Sequence, residues 1–216
     1  MPVLGTFKVA IVVPAFNEEK TIEKVVQSIR GHGAVIVVND GSVDRTSEIA
    51  VAAGAIVLTH PVNMGYDAAL NTGFKKAKKE HYNAVITFDG DGQHSAESLS
   101  VFIDELKKGT ELVLGIRPNT QRFSEWLFKI YTKNRFNWHD PLCGMKGYRT
   151  SLINDVDKIF TYHSIGTELA IKSIRSKCSI KQVNIKSISR KGRSRFGDGF
   201  LANLKIIKAL ILGITN

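Results

Sequence analysis

Along residues 8–115, short apolar runs alternate with longer stretches whose apolar positions recur every third or fourth residue. The runs are KVAIVV (8–13), AVIVV (34–38), AIVLT (55–59), AVITF (84–88) and ELVLG (111–115). Between them, Glu18 to Arg30 places Ile22, Val25, Val26 and Ile29 at helical spacing. Ser42 is positioned to cap a helix from Val43 to Ala53, and helices over Gly65–Lys79 and Ser95–Lys108 follow. Strands alternating with amphipathic helices predict a doubly wound α/β domain with a mainly parallel sheet. In such sheets ligands bind outside the carboxyl ends of the strands.

Beyond residue 115 the pattern loosens. RFSEWLFKIYTKNRF (122–136) predicts an aromatic-rich amphipathic helix, and DPLCGMKGYR (140–149) a turn followed by an edge strand. A helix near Gly166 to Lys177 and a strand within SIKQVNIKSI come next. FLANLKIIKALILG, with Phe200, Leu204, Ile207 and Ile211 on one stripe, predicts a last amphipathic helix, too short and too charged to span a bilayer. With no repeat, low-complexity tract or clear linker, residues 1–216 are expected to form one domain.

Composition changes this picture in one respect. The net charge is +10, and from Lys172 to Arg195 there are nine Lys or Arg and no Asp or Glu. Such a stretch suits an anionic lipid surface, a polyphosphate or nucleic acid, and equally a solvated basic face. Cys143 and Cys178 are far apart and in no C-x-x-C, against a disulfide framework or zinc site. The short apolar run ended by Pro14 lacks the features of a signal segment, so a cytoplasmic protein is expected.

The candidate chemistry lies at the strand ends: PAFNEE after the first run, NDGSVDRT after the second, HPVNMGYDAALNTG after the third and DGDGQH after the fourth. Asp89 and Asp91, with Gly90 and Gly92 permitting close backbone approach, suit a hard divalent cation such as Mg²⁺ or Mn²⁺, with Gln93 and His94 as further donors. Asp-Gly-Asp-Gly is also a common polar turn. No G-x-G-x-x-G follows the first strand and no G-x-x-x-x-G-K-[ST] occurs, which removes the main support for dinucleotide oxidoreductases and P-loop enzymes.

Pro14-Ala-Phe-Asn-Glu18, Val38-Asn-Asp-Gly-Ser42, Asn63-Met-Gly65 and Phe88-Asp-Gly-Asp-Gly-Gln93, in this order, resemble the family 2 inverting glycosyltransferases of GT-A fold. The branch most similar contains dolichyl-phosphate mannose synthases and bacterial polyprenyl-phosphate glycosyltransferases. The resemblance implies a nucleotide-sugar-binding half over 1–115 and a smaller acceptor-side half over 116–216. Pro14, Ala15, Asn17 and Glu18 would line the nucleoside pocket, and Asp40 would accept from a base N–H, or simply form a turn and helix cap with Ser42. Asp89 and Gly90 would face the donor, with Asp89 shared between ribose and metal. Asp91 and Gln93 would complete the metal shell, where Mg²⁺ or Mn²⁺ stabilises the departing diphosphate. Arg117 would bind phosphate. Arg190, Arg193 and Arg195, on a Gly-containing loop, would close over a diphosphate or acceptor phosphate, since guanidinium forks match phosphate oxygens. That loop lacks the interleaved aromatics of a nucleic-acid module. Asp140 and Glu168 match family acids on the acceptor side.

Two acceptors remain open at this point. A sugar hydroxyl, as in surface glycan assembly, would need a general base, for which Asp140 and Glu168 are candidates. A polyprenyl phosphate is already ionised and needs cations, which the basic segment and the apolar C-terminal stripe would supply through peripheral membrane contact. A nucleotide-sugar-binding module without turnover is a third reading. Oligomeric state is not legible.

Overall fold

The parallel ladders of β1 (Val9–Ala15) organise the computed structural model, which describes residues 6–90, 96–118, 123–153 and 165–186. β1 pairs with β2 (Ala34–Asn39) on one side and β4 (Ala84–Thr87) on the other, and β2 carries β3 (Ile56–Thr59) on its outer edge. With β5 (Leu112–Ile116), β6 (Lys146–Arg149) and β7 (Ile180–Asn184), the described strands form one seven-stranded sheet in the order β3-β2-β1-β4-β6-β5-β7. All neighbouring pairs are parallel except those of β6, which is antiparallel to both β4 and β5.

Helices cover both faces, which is why the strands read as continuous apolar runs. Ile11 and Val13 point into a core shared with α1 (Ile22–Ile29), α2 (Thr46–Ala52) and α4 (Glu97–Lys107). Ala10 and Val12 point the other way, toward α3 (Tyr66–Lys79) and α6 (Ile165–Arg175). Helix α1 has only eight residues, too few to be stable alone. Its stripe of Ile22, Val25, Val26 and Ile29 is buried, at roughly 1.5–3 kcal/mol per large side chain, and that packing holds it. Helix α5 (Phe123–Phe136) packs through Phe128 and Tyr131 against Leu142. No helix among the described residues is long and apolar enough to cross a membrane.

Three sequence expectations are corrected. The strand after DPLCG is not an edge strand: β6 fills the slot between β4 and β5, and β7 takes the edge. Gly147 makes this possible, because a Cβ there would press on Leu106 and Phe102 of α4 at 3.1–3.2 Å. Second, Ser42 does not cap α2, which begins at Thr46. The Ser42 hydroxyl instead accepts the Asn17 N–H, and Asp44 accepts from the Thr46 N–H and hydroxyl. Third, α1 starts at Ile22 rather than Glu18, because residues 17–19 are tied to the loop after β2.

Candidate active site

The loops leaving β1 and β2 are sewn together by side-chain to backbone bonds. The Asn17 N–H donates to Ser42 Oγ at 2.9 Å while Asn17 Oδ1 accepts the Val43 N–H at 3.0 Å. Asn17 sits at φ 55°, a left-handed conformation that Asn tolerates better than most residues. The Glu18 N–H donates to Thr46 Oγ1 at 2.8 Å and the Glu19 N–H to Asp44 Oδ2 at 3.1 Å. Although burial opposes it, the donors from Thr46 and Glu19 hold the Asp44 carboxyl below its ordinary range. Thr21 extends the seam toward β4: its hydroxyl lies 2.8 Å from Glu18 Oε2 and 3.0 Å from the Gly90 carbonyl. Pro14, Ala15, Asn17, Glu18 and Gly90 therefore share one continuous rim at the carboxyl end of the sheet.

Asp40 is only 4% exposed, and both of its oxygens have partners within the protein. The Met64 and Gly65 N–H groups donate to it at 2.9 and 2.7 Å, and His60 Nδ1 lies 2.7 Å from Oδ1. On the far side of the ring, Nε2 is 2.9 Å from the Thr72 hydroxyl, placed to accept from it when the imidazole is neutral. Asp40 thus holds the loop after β3 at the start of α3, where a negative charge complements the helix N-terminus. The neighbouring Gly41 is at φ 70°, with the Val62–Asn63 backbone so close that a Cβ would overlap it at 2.4–2.5 Å. A side chain at this position would push the two loops apart.

Asp89 lies at the exit of β4, in the middle of the sheet. The Tyr66 hydroxyl donates to its Oδ1 at 2.9 Å. Its other oxygen rests against Gly144, where a Cβ would fall 2.2 Å from Oδ2. Gly144 is held in turn by Thr87, whose hydroxyl donates to the Gly144 carbonyl at 2.6 Å and accepts the Lys146 N–H at 3.0 Å. Beside Asp89 opens a small cleft, its walls drawn from Tyr66, Asp67 and Leu70 of α3, Thr87 of β4, the 142–146 segment and the first turn of α6. A carboxylate at this point could contribute a hard oxygen to a divalent cation.

Arg117 and Asp140, assigned by the sequence to phosphate and to acceptor chemistry, meet each other. Arg117 Nε and one terminal nitrogen each lie 2.8 Å from a different Asp140 oxygen, the Arg117 N–H adds a third bond at 3.0 Å, and Glu125 is 3.4 Å away. The acid side chains are 5% and 8% exposed. Burial alone would lower the guanidinium's pKa, but the hydrogen bonds and charge of Asp140 outweigh it and the pKa rises. Glu168 stands in the first turn of α6, one residue beyond Thr167 of the cleft wall.

Asp91, Gln93, His94, Arg190, Arg193, Arg195 and the stripe from Phe200 to Ile211 lie outside the described residues. Among the described residues no three His, Cys, Asp or Glu side chains converge as a metal cluster. Sequence reasoning passed over His60, Thr21, Tyr66 and Lys146. For Tyr66 and Lys146 the signal was weak: one polar residue beside a Gly turn, and one lysine in a short strand.

The profile of Glycosyl transferase family 2 matches residues 10–170. The chain belongs to that family. As a family 2 glycosyltransferase it is 25% identical over 236 residues to the UDP-N-acetylglucosamine–dolichyl-phosphate N-acetylglucosaminyltransferase of Methanococcus voltae, with 94% of each chain covered. It is 28% identical over 216 residues to a dolichyl-phosphate hexose transferase of Haloferax volcanii, covering 94% of this chain and 92% of that one. It also superposes, with a TM-score of 0.70 and 23% identity, on glucosyl-3-phosphoglycerate synthase from Mycobacterium tuberculosis in complex with Mn²⁺, UDP-glucose and phosphoglyceric acid, covering 88% and 73% of the two chains. The glycosyltransferase has the GT-A fold.

Proposed function

We propose that this glycosyltransferase moves a sugar from a nucleoside diphosphate to a polyprenyl phosphate at the cytoplasmic face of a membrane, in a metal-dependent, inverting reaction. The observation that carries this reading is the left-to-right order of the sheet. The sewn loops after β1, β2 and β3 lie to one side of Asp89, and the cleft walled by β6 and α6 lies to the other. A donor along the first side would point its anomeric carbon toward the second. The relatives named as dolichyl-phosphate transferases support the acceptor class.

In this reading Pro14, Ala15, Asn17 and Glu18 form the nucleoside rim, with Asp40 acting through the loop it holds. Asp89, together with Asp91 and Gln93, would hold Mg²⁺ or Mn²⁺, which when bound stabilises negative charge on the leaving diphosphate. An acceptor phosphate oxygen attacks the anomeric carbon from the face opposite the diphosphate, and the bond to the diphosphate oxygen breaks with its electron pair leaving on that oxygen. A phosphate nucleophile needs no deprotonation at neutral pH. That suits a site where Asp140, gripped by Arg117, is not placed to take a proton. Arg190, Arg193 and Arg195 would close over the phosphates, and the chain would touch the membrane peripherally through its basic C-terminal half.

A second reading, transfer to a saccharide hydroxyl, draws on Glu168, which stands beside the cleft and could serve as base. The test is a panel of UDP-, GDP- and dTDP-sugars with Mn²⁺ or Mg²⁺, reading nucleoside diphosphate release with and without a polyprenyl phosphate. Labelled product extracted into organic solvent and lost in mild acid supports the first reading. Transfer to saccharides alone, abolished by Glu168→Gln, supports the second. Full activity of Asp91→Ala with excess chelator would remove the metal from either.

A further inference from the structure

We propose that the outward face of α5 docks the enzyme on an anionic bilayer beside the acceptor cleft; this rests on the polyprenyl-phosphate reading and names the element that makes the membrane contact. The helix is two-sided. Glu125, Phe128 and Thr132, spaced three and four apart, are buried, and Phe128 with Tyr131 packs against Leu142 of the cleft wall. Trp126, Ile130 and Lys133 share a stripe on the opposite side and are exposed, Trp126 at 47% and Ile130 at 39%. Large apolar side chains this exposed gain free energy by leaving water.

Charge selects the occupant. The one acid in the α5 sequence, Glu125, is 7% exposed and lies 3.4 Å from Arg117, so it faces inward. Lys129 is partly buried on the flank of the stripe, and Lys133 and Arg135 are exposed. An apolar pair bordered by cations suits anionic headgroups. An indole settles at headgroup level, and lysines lay their stems on the apolar layer while their ammonium groups stay in the polar one. Another group of exposed apolar side chains, Phe16, Val43, Val62 and Met64, lies on the loops of the nucleoside rim, but there Glu18, Glu19, Asp44 and Glu48 outnumber Lys20 and Arg45. An anionic surface repels that rim and attracts α5, which leaves the donor side open to water for nucleotide exchange. A helix is about 10 Å across, so a bilayer on the outer face of α5 lies roughly that far from Leu142 and the cleft. A lipid phosphate already at headgroup level has only that distance to cover.

The test uses vesicles of equal parts phosphatidylglycerol and phosphatidylcholine, free of any polyprenyl phosphate, with sedimentation and tryptophan emission as readouts. The chain has two tryptophans, and Trp138 is 1% exposed, so quenching by lipids with brominated acyl chains reports Trp126. Wild type is expected to bind with quenching, and more weakly to phosphatidylcholine alone. Trp126→Ser with Ile130→Ser, and separately Lys129→Gln with Lys133→Gln, should each weaken binding about tenfold or more, while Val101→Ser on α4 binds as wild type. Failure of wild type to bind, or wild-type binding by both double variants, overturns the proposal. So does loss of binding in Val62→Ser with Met64→Ser, or in Phe200→Ser with Ile207→Ser, while the α5 variants still bind, or a Trp126 emission shift that follows self-association without lipid. Transfer to geranylgeranyl phosphate separates this proposal from the acceptor reading. Vesicle binding that needs Trp126 and Ile130, with no transfer to that acceptor, leaves the docking face standing and removes the acceptor class. Transfer to the acceptor in vesicles that is unchanged in both α5 variants removes the docking face and keeps the acceptor class.

Discussion

Arg117 and Asp140 are joined by a two-pronged ion pair, two nitrogens to two oxygens at 2.8 Å each, that closes the gap between the exit of β5 and the segment leading into β6. Glu125 adds a second acid from α5, so the guanidinium ties together three parts of the chain. Both acids are nearly buried, and breaking one partner of such a pair leaves an uncompensated charge out of water. Asp140→Asn is expected to lower unfolding stability by about 3 kcal/mol or more, measured by urea denaturation. Replacing both members, Arg117→Met with Asp140→Leu, should recover a large part of that loss. A base would behave differently: Asp140→Asn would then abolish transfer with stability unchanged.

How much of this was legible in the sequence depends on what fixed each element. The strands β1, β2, β4 and β5 and the helices between them were readable because both faces of the sheet are buried there, so hydrophobic pattern alone specifies them; β3, on the edge and half-exposed, was readable only as an apolar run. KGYR defeated that reading: Lys146, Gly147 and Arg149 look like an edge, and only the packing of Gly147 against α4 reveals a central strand. The strand-end motifs were found as motifs, yet their internal wiring was not. Ser42 resembles an N-cap by position, but its hydroxyl is claimed by Asn17, 25 residues away in sequence. Arg117 and Asp140 were assigned separate roles because no local rule announces that two residues 23 apart will meet.

Gly144 gives a sharper test of the centre. A methyl group there would lie 2.2 Å from Asp89 Oδ2, well inside contact distance, and the nearby Thr87 bond to the Gly144 carbonyl resists a backbone shift. Asp89 must therefore move. Since a misplacement of about 1 Å at a reacting centre can cost roughly a hundredfold in rate, Gly144→Ala is expected to lower kcat by about that factor. Circular dichroism should remain that of the folded wild type. Wild-type turnover in a well-folded Gly144→Ala would show that Asp89 does not need this position.

His60 offers a test of the proposed nucleoside rim. Its ring joins Asp40 to Thr72, and Asp40 in turn holds the Met64 and Gly65 N–H groups. His60→Leu removes one partner from a buried carboxylate, which costs about 1–3 kcal/mol. The loop after β3 should loosen with it. The expected outcome is a lower midpoint in urea together with a higher KM for the nucleotide sugar and little change in acceptor KM. An effect on stability alone would restrict the Asp40–His60–Thr72 chain to folding.

The buried thiol of Cys143 predicts a pH dependence whose sign can be worked out. Burial first, and then the negative charge of Asp140, push the thiol up to about 12, against the opposing influence of Lys146 and Arg117. In the unfolded chain a cysteine titrates near 8.5. The folded state therefore favours the protonated thiol, and its contribution to stability is fully present below about pH 8.5. Above that pH the unfolded state gains by ionising while the folded state cannot, and stability falls by roughly 1.4 kcal/mol per pH unit until the folded thiol itself ionises. Lysines and tyrosines also titrate in this window, so the measurement that isolates the thiol is a comparison of urea midpoints for wild type and Cys143→Ser between pH 8 and pH 11. The wild-type curve should fall more steeply, and native Cys143 should resist a thiol reagent at pH 8 until the chain unfolds. Rapid labelling of Cys143 in the native protein, or parallel curves for the two proteins, would mean that this sulfur is neither sealed nor held protonated beneath the site.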